Sequence, residues 1–139
     1  MMECFDLVSG AKEFEGSMEN PRHLALGEAG EKMAARYLEK KGYSIVGRRV
    51  RCGGGEIDII ARLGKEWVFV EVKTRSSDRM GTAAEALTRG KATRLARAVV
   101  AYMTQHELHD SPVRCDLLAI DFDGDVPRIE HFPAAMDLE

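Results

Sequence analysis

Two neighbouring stretches decide the fold of this chain: Gly54-Gly55-Glu56-Ile57-Asp58-Ile59-Ile60-Ala61 and Trp67-Val68-Phe69-Val70-Glu71-Val72-Lys73. Both are rich in β-branched and aromatic residues, which predicts two buried strands, joined by a turn at Leu63-Gly64-Lys65. Charged side chains inside such an apolar hairpin cost free energy unless they pair with each other or bind a cation. The hairpin is therefore the first place to look for a functional site.

The alternation of side chains along a strand groups these charged residues. Successive side chains point to opposite faces, so Glu56 and Asp58 share one face of the first strand. By the same rule Glu71, Lys73 and Arg75 share one face of the second strand. We therefore expect a compact set of carboxylates and cations on the strand pair.

A helix is predicted before the hairpin, from Pro21 to Lys40. Asn20-Pro21 is typical of an N-cap followed by proline at the first helical position, and Gly42 is placed for a C′ glycine. Gly27, Gly30 and Ala34 form a small-residue strip, which would let the helix approach another element closely. Glu31 lies beside this strip, so it could reach the charged spot on the sheet; an ordinary boundary glutamate is the alternative.

The rest of the chain predicts a leader and one domain. Residues 1–20 show no sustained period and are predicted to be a poorly ordered leader. Residues 21–139 are predicted to form a single domain, as the length allows. After the hairpin, a helix is predicted to run from Gly90 to about His106, with an apolar stripe that turns Arg94 and Arg97 away from the core. Two further strands are predicted at Val113 to Phe122 and at Val126 to Phe132.

Composition indicates a soluble globular protein. Hydrophobic residues make up 45% of the chain and charged residues 31%, which are ordinary values for such proteins. No apolar run approaches the roughly 20 residues that span a bilayer, and the first 20 residues lack a signal pattern. The three cysteines form no close pair, which argues against a disulfide framework or a four-thiolate zinc site. We therefore predict a cytoplasmic protein that does not associate with membranes.

The net charge of −3 conceals a basic middle segment. Residues 48–97 carry 12 Lys and Arg against 6 Asp and Glu, whereas residues 98–139 carry 2 against 9. A basic segment can mark a surface that binds polyanions, although a solvated surface of mixed charge is the commoner case. The basic segment is the one that contains the strand pair.

The pattern Asp58, Glu71, Lys73 points to metal chemistry. Two carboxylates on adjacent strands can hold Mg²⁺, which takes oxygen ligands and keeps several waters. A lysine two residues after the glutamate can orient the attacking water or stabilise an oxyanion. Glu31 would complete the surroundings of the cation, and Lys91 could contact a backbone phosphate. The plainer alternative is a set of cross-strand ion pairs on an exposed face.

The motifs resemble those of the YraN-like family of bacterial proteins, over roughly residues 24 to 121. This family is similar in fold to the PD-(D/E)XK nucleases, which include restriction enzymes and Holliday-junction resolvases. The resemblance implies an α/β fold with a restriction endonuclease-like α-β-β-β-α-β core, in which helices flank both sides of a central mixed β-sheet. The segments that carry it are Gly27-x-x-Gly30-Glu31-x-x-Ala34, Gly55-Glu56-Ile57-Asp58-Ile59-Ile60-Ala61, Val68-Phe69-Val70-Glu71-Val72-Lys73-Thr74-Arg75, Gly81…Glu85-Ala86…Lys91…Arg94-Leu95 and Arg114-Cys115-Asp116.

The resemblance also implies residue roles. Asp58, Glu71 and Lys73 match the motif residues of the nucleases, and Glu31 matches the helix glutamate of the resolvase branch. The catalytic set would thus be these four residues, with Asp58, Glu71 and Glu31 as ligands of Mg²⁺ or Mn²⁺. The residues expected to contact nucleic acid are Lys91, Arg75, Arg48, Arg49 and Arg51.

The chain departs from the family pattern at two positions. Arg49 stands where the family often has asparagine, and Cys115 stands where it tends to have phenylalanine. Neither position belongs to the expected metal set.

Three functional hypotheses remain open on the sequence. The first is a Mg²⁺- or Mn²⁺-dependent nuclease that acts on DNA, including branched or single-stranded intermediates. The second is a nucleic-acid-binding module that keeps the nuclease fold without turnover. The third is an interaction protein with a buried ionic network. Many relatives of this fold act as dimers, so a homodimer is considered, although the sequence identifies no self-complementary patch.

Overall fold

The computed structural model describes residues 5–6, 21–75, 89–122 and 126–136, and it describes side chains within 27–75, 94–122 and 126–135. One six-stranded sheet has the strand order β1-β2-β3-β4-β5-β6. Only β4 and β5 pair in parallel, across the α2 crossover; the other neighbours are antiparallel. The elements are β1 Phe5–Asp6, α1 Pro21–Lys40, β2 Ser44–Cys52, β3 Gly55–Leu63, β4 Glu66–Arg75, α2 Arg89–Gln105, β5 Val113–Asp121 and β6 Arg128–Met136.

The helices cover opposite faces of this mixed sheet, as alternation along β4 shows. Val68 and Val70 pack in the cluster that contains Ala34 and Leu38 of α1. Phe69, between them, packs in the other cluster, which contains Leu95 of α2. The predicted α/β fold with helices on both sides of a mixed sheet is therefore confirmed, and the order of elements is that of a restriction endonuclease-like core.

Helix α1 has the predicted limits and lies very close to the sheet. It runs from Pro21 to Lys40, and Gly42 follows with a φ of 97°, the left-handed conformation that glycine adopts at a helix end. A Cβ at Gly30 would overlap the Thr74 side chain on β4. The small-residue strip thus brings α1 onto the sheet, and this contact fixes the height of Glu31 above it.

The predicted hairpin is confirmed, and its pairing stops next to the charged residues. The register of β3 and β4 runs from Leu63 opposite Glu66 to Ile59 opposite Val70. Asp58 lies just beyond the last pair, where the two strands separate. The opening between them leaves space that side chains from both helices can reach.

The backbone of strand β2 is unusual beside Asp58. Arg48 pairs with Ile59 and Val50 pairs with Ile57, so Arg49 lies across from Asp58. Arg49 has a φ of 51°, a left-handed backbone that is uncommon for any residue except glycine, asparagine and aspartate. Asparagine would adopt this conformation with less strain.

Near the N-terminus, Phe5 and Asp6 pair with Arg51 and Val50 of β2. The other residues of the predicted leader, 1–4 and 7–20, lie outside the described residues, so that prediction stays a prediction. Cys52 is disulfide-bonded to a partner outside the described residues. The spacing of the cysteines did not indicate this disulfide bond. No helix in the described ranges is long and apolar enough to cross a membrane.

Candidate active site

A cavity of about 270 Å³ opens where β3 and β4 separate. At roughly 30 Å³ of liquid volume per water molecule, it has room for several waters. Its lining combines residues of both helices with residues of both strands. They are Gly27 and Glu31 from α1, Gly55, Glu56 and Asp58 from β3, Glu71, Val72 and Thr74 from β4, and Arg94 and Leu95 from α2.

The structure brings three of the four predicted catalytic residues to this cavity. Glu31, Asp58 and Glu71 all line it, although they are far apart in sequence. Glu71 is 8% exposed, whereas Glu31 and Asp58 are half-buried. Glu56 is a fourth carboxylate on the same cavity wall. Burying so much negative charge in one place is costly unless protons or cations compensate it.

Asp58 shows the effect of this crowding. Burial, together with the negative charges of Glu71, Glu31 and Glu56, holds the pKa of its carboxyl well above the ordinary range. One interaction opposes this: the backbone N–H of Val72 donates a hydrogen bond of 2.8 Å to Asp58 Oδ2. That bond takes the place of a ladder bond where the strands part, and it fixes the orientation of the carboxylate.

Glu31 is perturbed in the same direction. Burial raises its pKa to about 7, and the charges of Glu56 and Glu28 contribute to the rise. Arg49 and Arg48 act against it by favouring the ionised form. At neutral pH the site therefore holds a glutamate poised between its two protonation states, a common property of functional sites.

The donor set is chemically suited to a hard divalent cation. Carboxylate oxygens are the ligands that Mg²⁺ prefers, and the ion is usually held by one or two carboxylates with water filling its other positions. Asp58 and Glu71 can serve in this way. However, within the described part of the chain no three His, Cys, Asp or Glu side chains form a group that could hold a metal ion as they stand. The three-ligand set that includes Glu31 therefore stays a prediction.

Lys73 is placed beside the cavity but not on its wall. It is half-buried on β4, two residues after Glu71, and it is paired in register with Ala119 of β5. By alternation its side chain leaves the strand on the same face as Glu71. Its chain neighbours Val72 and Thr74 both line the cavity.

The residues predicted to contact nucleic acid whose side chains the structure describes are not among those that line the cavity. Arg48, Arg49, Arg51 and Arg75 do not line the cavity, although the first two act electrostatically on Glu31. The side chain of Lys91 lies outside the described residues.

Arg94 is the residue that the sequence reasoning missed. The helical arithmetic turned it away from the core, and it is indeed exposed, yet it lines the mouth of the cavity. A cavity at the end of a sheet can be reached from the side of a helix that faces solvent. Gly55 could have indicated this position, because a glycine at the start of a strand often marks the close approach of another backbone. The backbone that approaches Gly55 is that of Arg94.

A second polar cluster lies between β5 and β6 and is built differently. Asp116 is fully buried, and its Oδ1 accepts hydrogen bonds of 2.9 Å from Arg114 Nε and from the backbone N–H of Ala134. Its Oδ2 lies 2.7 Å from His131 Nε2 and 3.1 Å from Arg114 Nη2. Arg114 also bonds Glu66 at 2.9 Å. These contacts satisfy both oxygens of Asp116 and link β5 to β6. The cluster therefore acts as a structural tie, a set of contacts that stabilises the sheet.

Comparison with known proteins gives a consistent assignment. The model of the family described as "Uncharacterised protein family UPF0102" matches residues 30–120. A UPF0102 protein of Geobacter metallireducens is 44% identical over 82% of this chain and 93% of the relative. One of Geobacter sulfurreducens is 44% identical over 89% and 95%, and one of Shewanella loihica is 46% identical over 76% and 92%. The matched region contains every residue that lines the cavity except Gly27. Because these matches extend over most of the chain, it belongs to the UPF0102 family, the YraN-like proteins.

Proposed function

We propose that the cavity is the active centre of a PD-(D/E)XK-type nuclease that hydrolyses DNA phosphodiester bonds with Mg²⁺ or Mn²⁺. The observation that carries the proposal is the meeting of Glu31, Asp58 and Glu71 at one cavity, with Lys73 beside it. Carboxylates with raised pKa values at the separation of two strands lower stability unless they serve a ligand. Most of the lining residues, from Gly55 to Leu95, belong to the basic segment of the chain, which favours a polyanionic substrate.

The residues take distinct parts in this chemistry. Asp58 and Glu71 would hold the cation, with the Asp58 carboxylate oriented by the Val72 N–H. Glu31, whose pKa is about 7, would accept a proton from the attacking water. The water oxygen forms a bond to phosphorus as the bond from phosphorus to the leaving sugar oxygen breaks, and the leaving oxygen takes a proton from solvent. Lys73 would stabilise the negative charge on the phosphate oxygens during this exchange. When bound, a divalent ion lowers the pKa of water and neutralises charge on the phosphate.

DNA cleavage assays test the proposal directly. Linear, single-stranded, flapped and four-way junction DNA are incubated with the protein in Mn²⁺, and product is measured over time. We expect cleavage that falls at least 100-fold in Asp58→Ala, in Glu71→Ala and in Lys73→Ala. Cleavage that survives in all three variants would come from a contaminating nuclease and would refute the proposal.

A specific observation favours a second candidate, a nucleic-acid-binding module without turnover. The described residues offer no ready group of three metal ligands. This candidate predicts that DNA binding persists in Glu71→Ala and depends on Arg48, Arg49, Arg51 and Lys91. It also predicts that Mg²⁺ and Mn²⁺ do not stabilise the protein. Calorimetric titration of Mn²⁺ into the protein separates the two, since only the nuclease requires a cation site.

Three further expectations accompany the proposal. Branched or single-stranded DNA is the expected substrate, and the expected compartment is the cytoplasm. A homodimer stays a prediction, and sedimentation of the protein with and without a four-way junction would test it.

A further inference from the structure

The glycines at the start of β3, Gly53 and Gly55, allow α2 to pack closely against this strand. A Cβ at Gly55 would lie 2.7 Å from the carbonyl oxygen of Arg94, and one at Gly53 would lie 2.8 Å from Ala101 Cβ and 3.1 Å from the carbonyl oxygen of Arg97. Real Cβ atoms do not approach other atoms below about 3.0 Å, so α2 could not lie at this height over residues with side chains. The close approach therefore depends on these glycines.

This close packing places Arg94 at the mouth of the cavity. Arg94 and Leu95 line it from α2, opposite the carboxylates of the strands. Leu95 is 3% exposed and anchors the helix in the core, whereas Arg94 is exposed. The contact of the Arg94 carbonyl with Gly55 therefore holds the backbone of Arg94 next to the opening.

Arg94 is not among the charges that act most on Glu31 and Asp58. The cations that act most on the Glu31 carboxyl are Arg49 and Arg48 of β2. The charges that act most on Asp58 are all negative and come from Glu71, Glu31 and Glu56. The arginine fork suits the oxygens of a phosphate, which it can bind with two parallel hydrogen bonds.

We propose that Arg94 binds a backbone phosphate of the nucleic acid at the mouth of the cavity, and that Gly55 sets its position. This inference rests on the proposed function, because it assigns a substrate contact to the same site. It adds a residue whose role is to hold the strand against the carboxylates, distinct from the groups that bind the cation.

The test compares Arg94→Ala with Arg97→Ala. Both residues are exposed arginines on α2, one turn apart, but only Arg94 lines the cavity, so the change in net charge is matched. Affinity for a fluorescein-labelled four-way DNA junction is measured by anisotropy in CaCl₂ over a series of NaCl concentrations. We expect Arg94→Ala to weaken binding about 10-fold at low salt and to reduce the salt slope by about 1, the signature of one lost phosphate contact. We expect less than about 3-fold for Arg97→Ala.

Gly55→Ala provides a second variant that keeps every charge. Its Cβ would push α2 outward, so we expect it to weaken binding about 5-fold while circular dichroism shows a folded protein. Equal losses in Arg94→Ala and Arg97→Ala would overturn the inference and leave the proposed function standing. If Gly55→Ala does not fold, the arginine pair alone decides. Absence of any binding by the unmodified protein would overturn both the inference and the proposed function.

Discussion

Two groups of acidic side chains in this molecule differ in the partners that surround them. Asp116, between β5 and β6, has both oxygens engaged by Arg114, His131 and a backbone N–H. Asp58, between β3 and β4, has one backbone N–H and is otherwise surrounded mainly by other carboxylates. The first arrangement stabilises the sheet, whereas the second stores unfavourable electrostatic energy that a cation or a proton can relieve. This difference in partners distinguishes a carboxylate that stabilises the fold from one that we propose to be functional.

The largest expected effect is at Asp116. Replacing it with Asn removes the negative charge beside Arg114 and puts an amide NH2, which cannot accept a hydrogen bond, in place of one accepting oxygen of a fully buried side chain. Glu66 then remains as a carboxylate partner of Arg114. We expect Asp116→Asn to lower the free energy of unfolding by about 3–5 kcal/mol, measured by urea denaturation. As a control, Glu66→Gln removes a partly exposed partner of the same arginine and should cost less than about 1 kcal/mol. A loss below 1 kcal/mol for Asp116→Asn would show that this cluster is not a tie.

Cation binding should stabilise the protein through the carboxylates of the cavity and not through Asp116. At a free Mn²⁺ concentration 100 times the dissociation constant, binding to the folded state adds about 2.7 kcal/mol of stability. We expect thermal denaturation to show a rise in Tm for the unmodified protein and none for Asp58→Asn. A rise of the same size in both proteins would place the ion somewhere other than this cavity.

The pH dependence of stability should reveal Glu31. Its folded-state pKa of about 7 lies above the ordinary 4.5, so between these values the folded protein binds more protons than the unfolded one. Stability from this group is therefore lost as pH rises from about 4.5 to about 7. Glu31→Gln should exceed the unmodified protein by about 2 kcal/mol at pH 8 and match it at pH 4. Glu28→Gln, an exposed neighbour on α1, should show neither change, and a parallel pH profile for Glu31→Gln would contradict the assignment.

Neutralising Asp58 should raise the free energy of unfolding, whereas neutralising Asp116 should lower it. An asparagine can still accept the hydrogen bond from Val72 while it removes the repulsion from Glu71 and Glu31. We expect Asp58→Asn to raise the free energy of unfolding by about 1 kcal/mol in the absence of metal, by urea denaturation. Destabilisation instead would mean that the carboxylates of the cavity form a structural network.

The smallest effect is expected at Arg49. Asparagine tolerates the left-handed backbone found there, so Arg49→Asn should stabilise the protein by about 0.5 kcal/mol at pH 5, where Glu31 is protonated. Near pH 8 the gain should shrink, because loss of the arginine charge raises the pKa of Glu31 further. Denaturation at the two pH values measures the difference. Arg51→Asn, on the same strand and exposed, is the control that should lack this pH dependence.

Local patterns predicted the elements well and the site in part. The limits of α1 followed from Pro21 and Gly42, and the hairpin followed from its β-branched residues, because these signals act within a few residues. The ties of Asp116 could not be predicted, since they depend on how β5 and β6 pair. Arg94 was missed because a helical wheel gives a direction relative to the core and not the position of a cavity at the sheet end. The left-handed backbone of Arg49 was not predicted either, because no local pattern in the sequence indicates it.

The parallel pairing of β4 with β5 has a consequence for synthesis of the chain. β4 can pair with β3 as soon as the hairpin leaves the ribosome, but its other edge stays open until β5 emerges roughly 40 residues later, which takes about 2–8 s at typical translation rates. During that interval an apolar strand, Trp67 to Val72, is available to other nascent chains. Charged residues on an open edge disfavour such pairing, so Lys73 and Arg75 also protect the chain before it has folded.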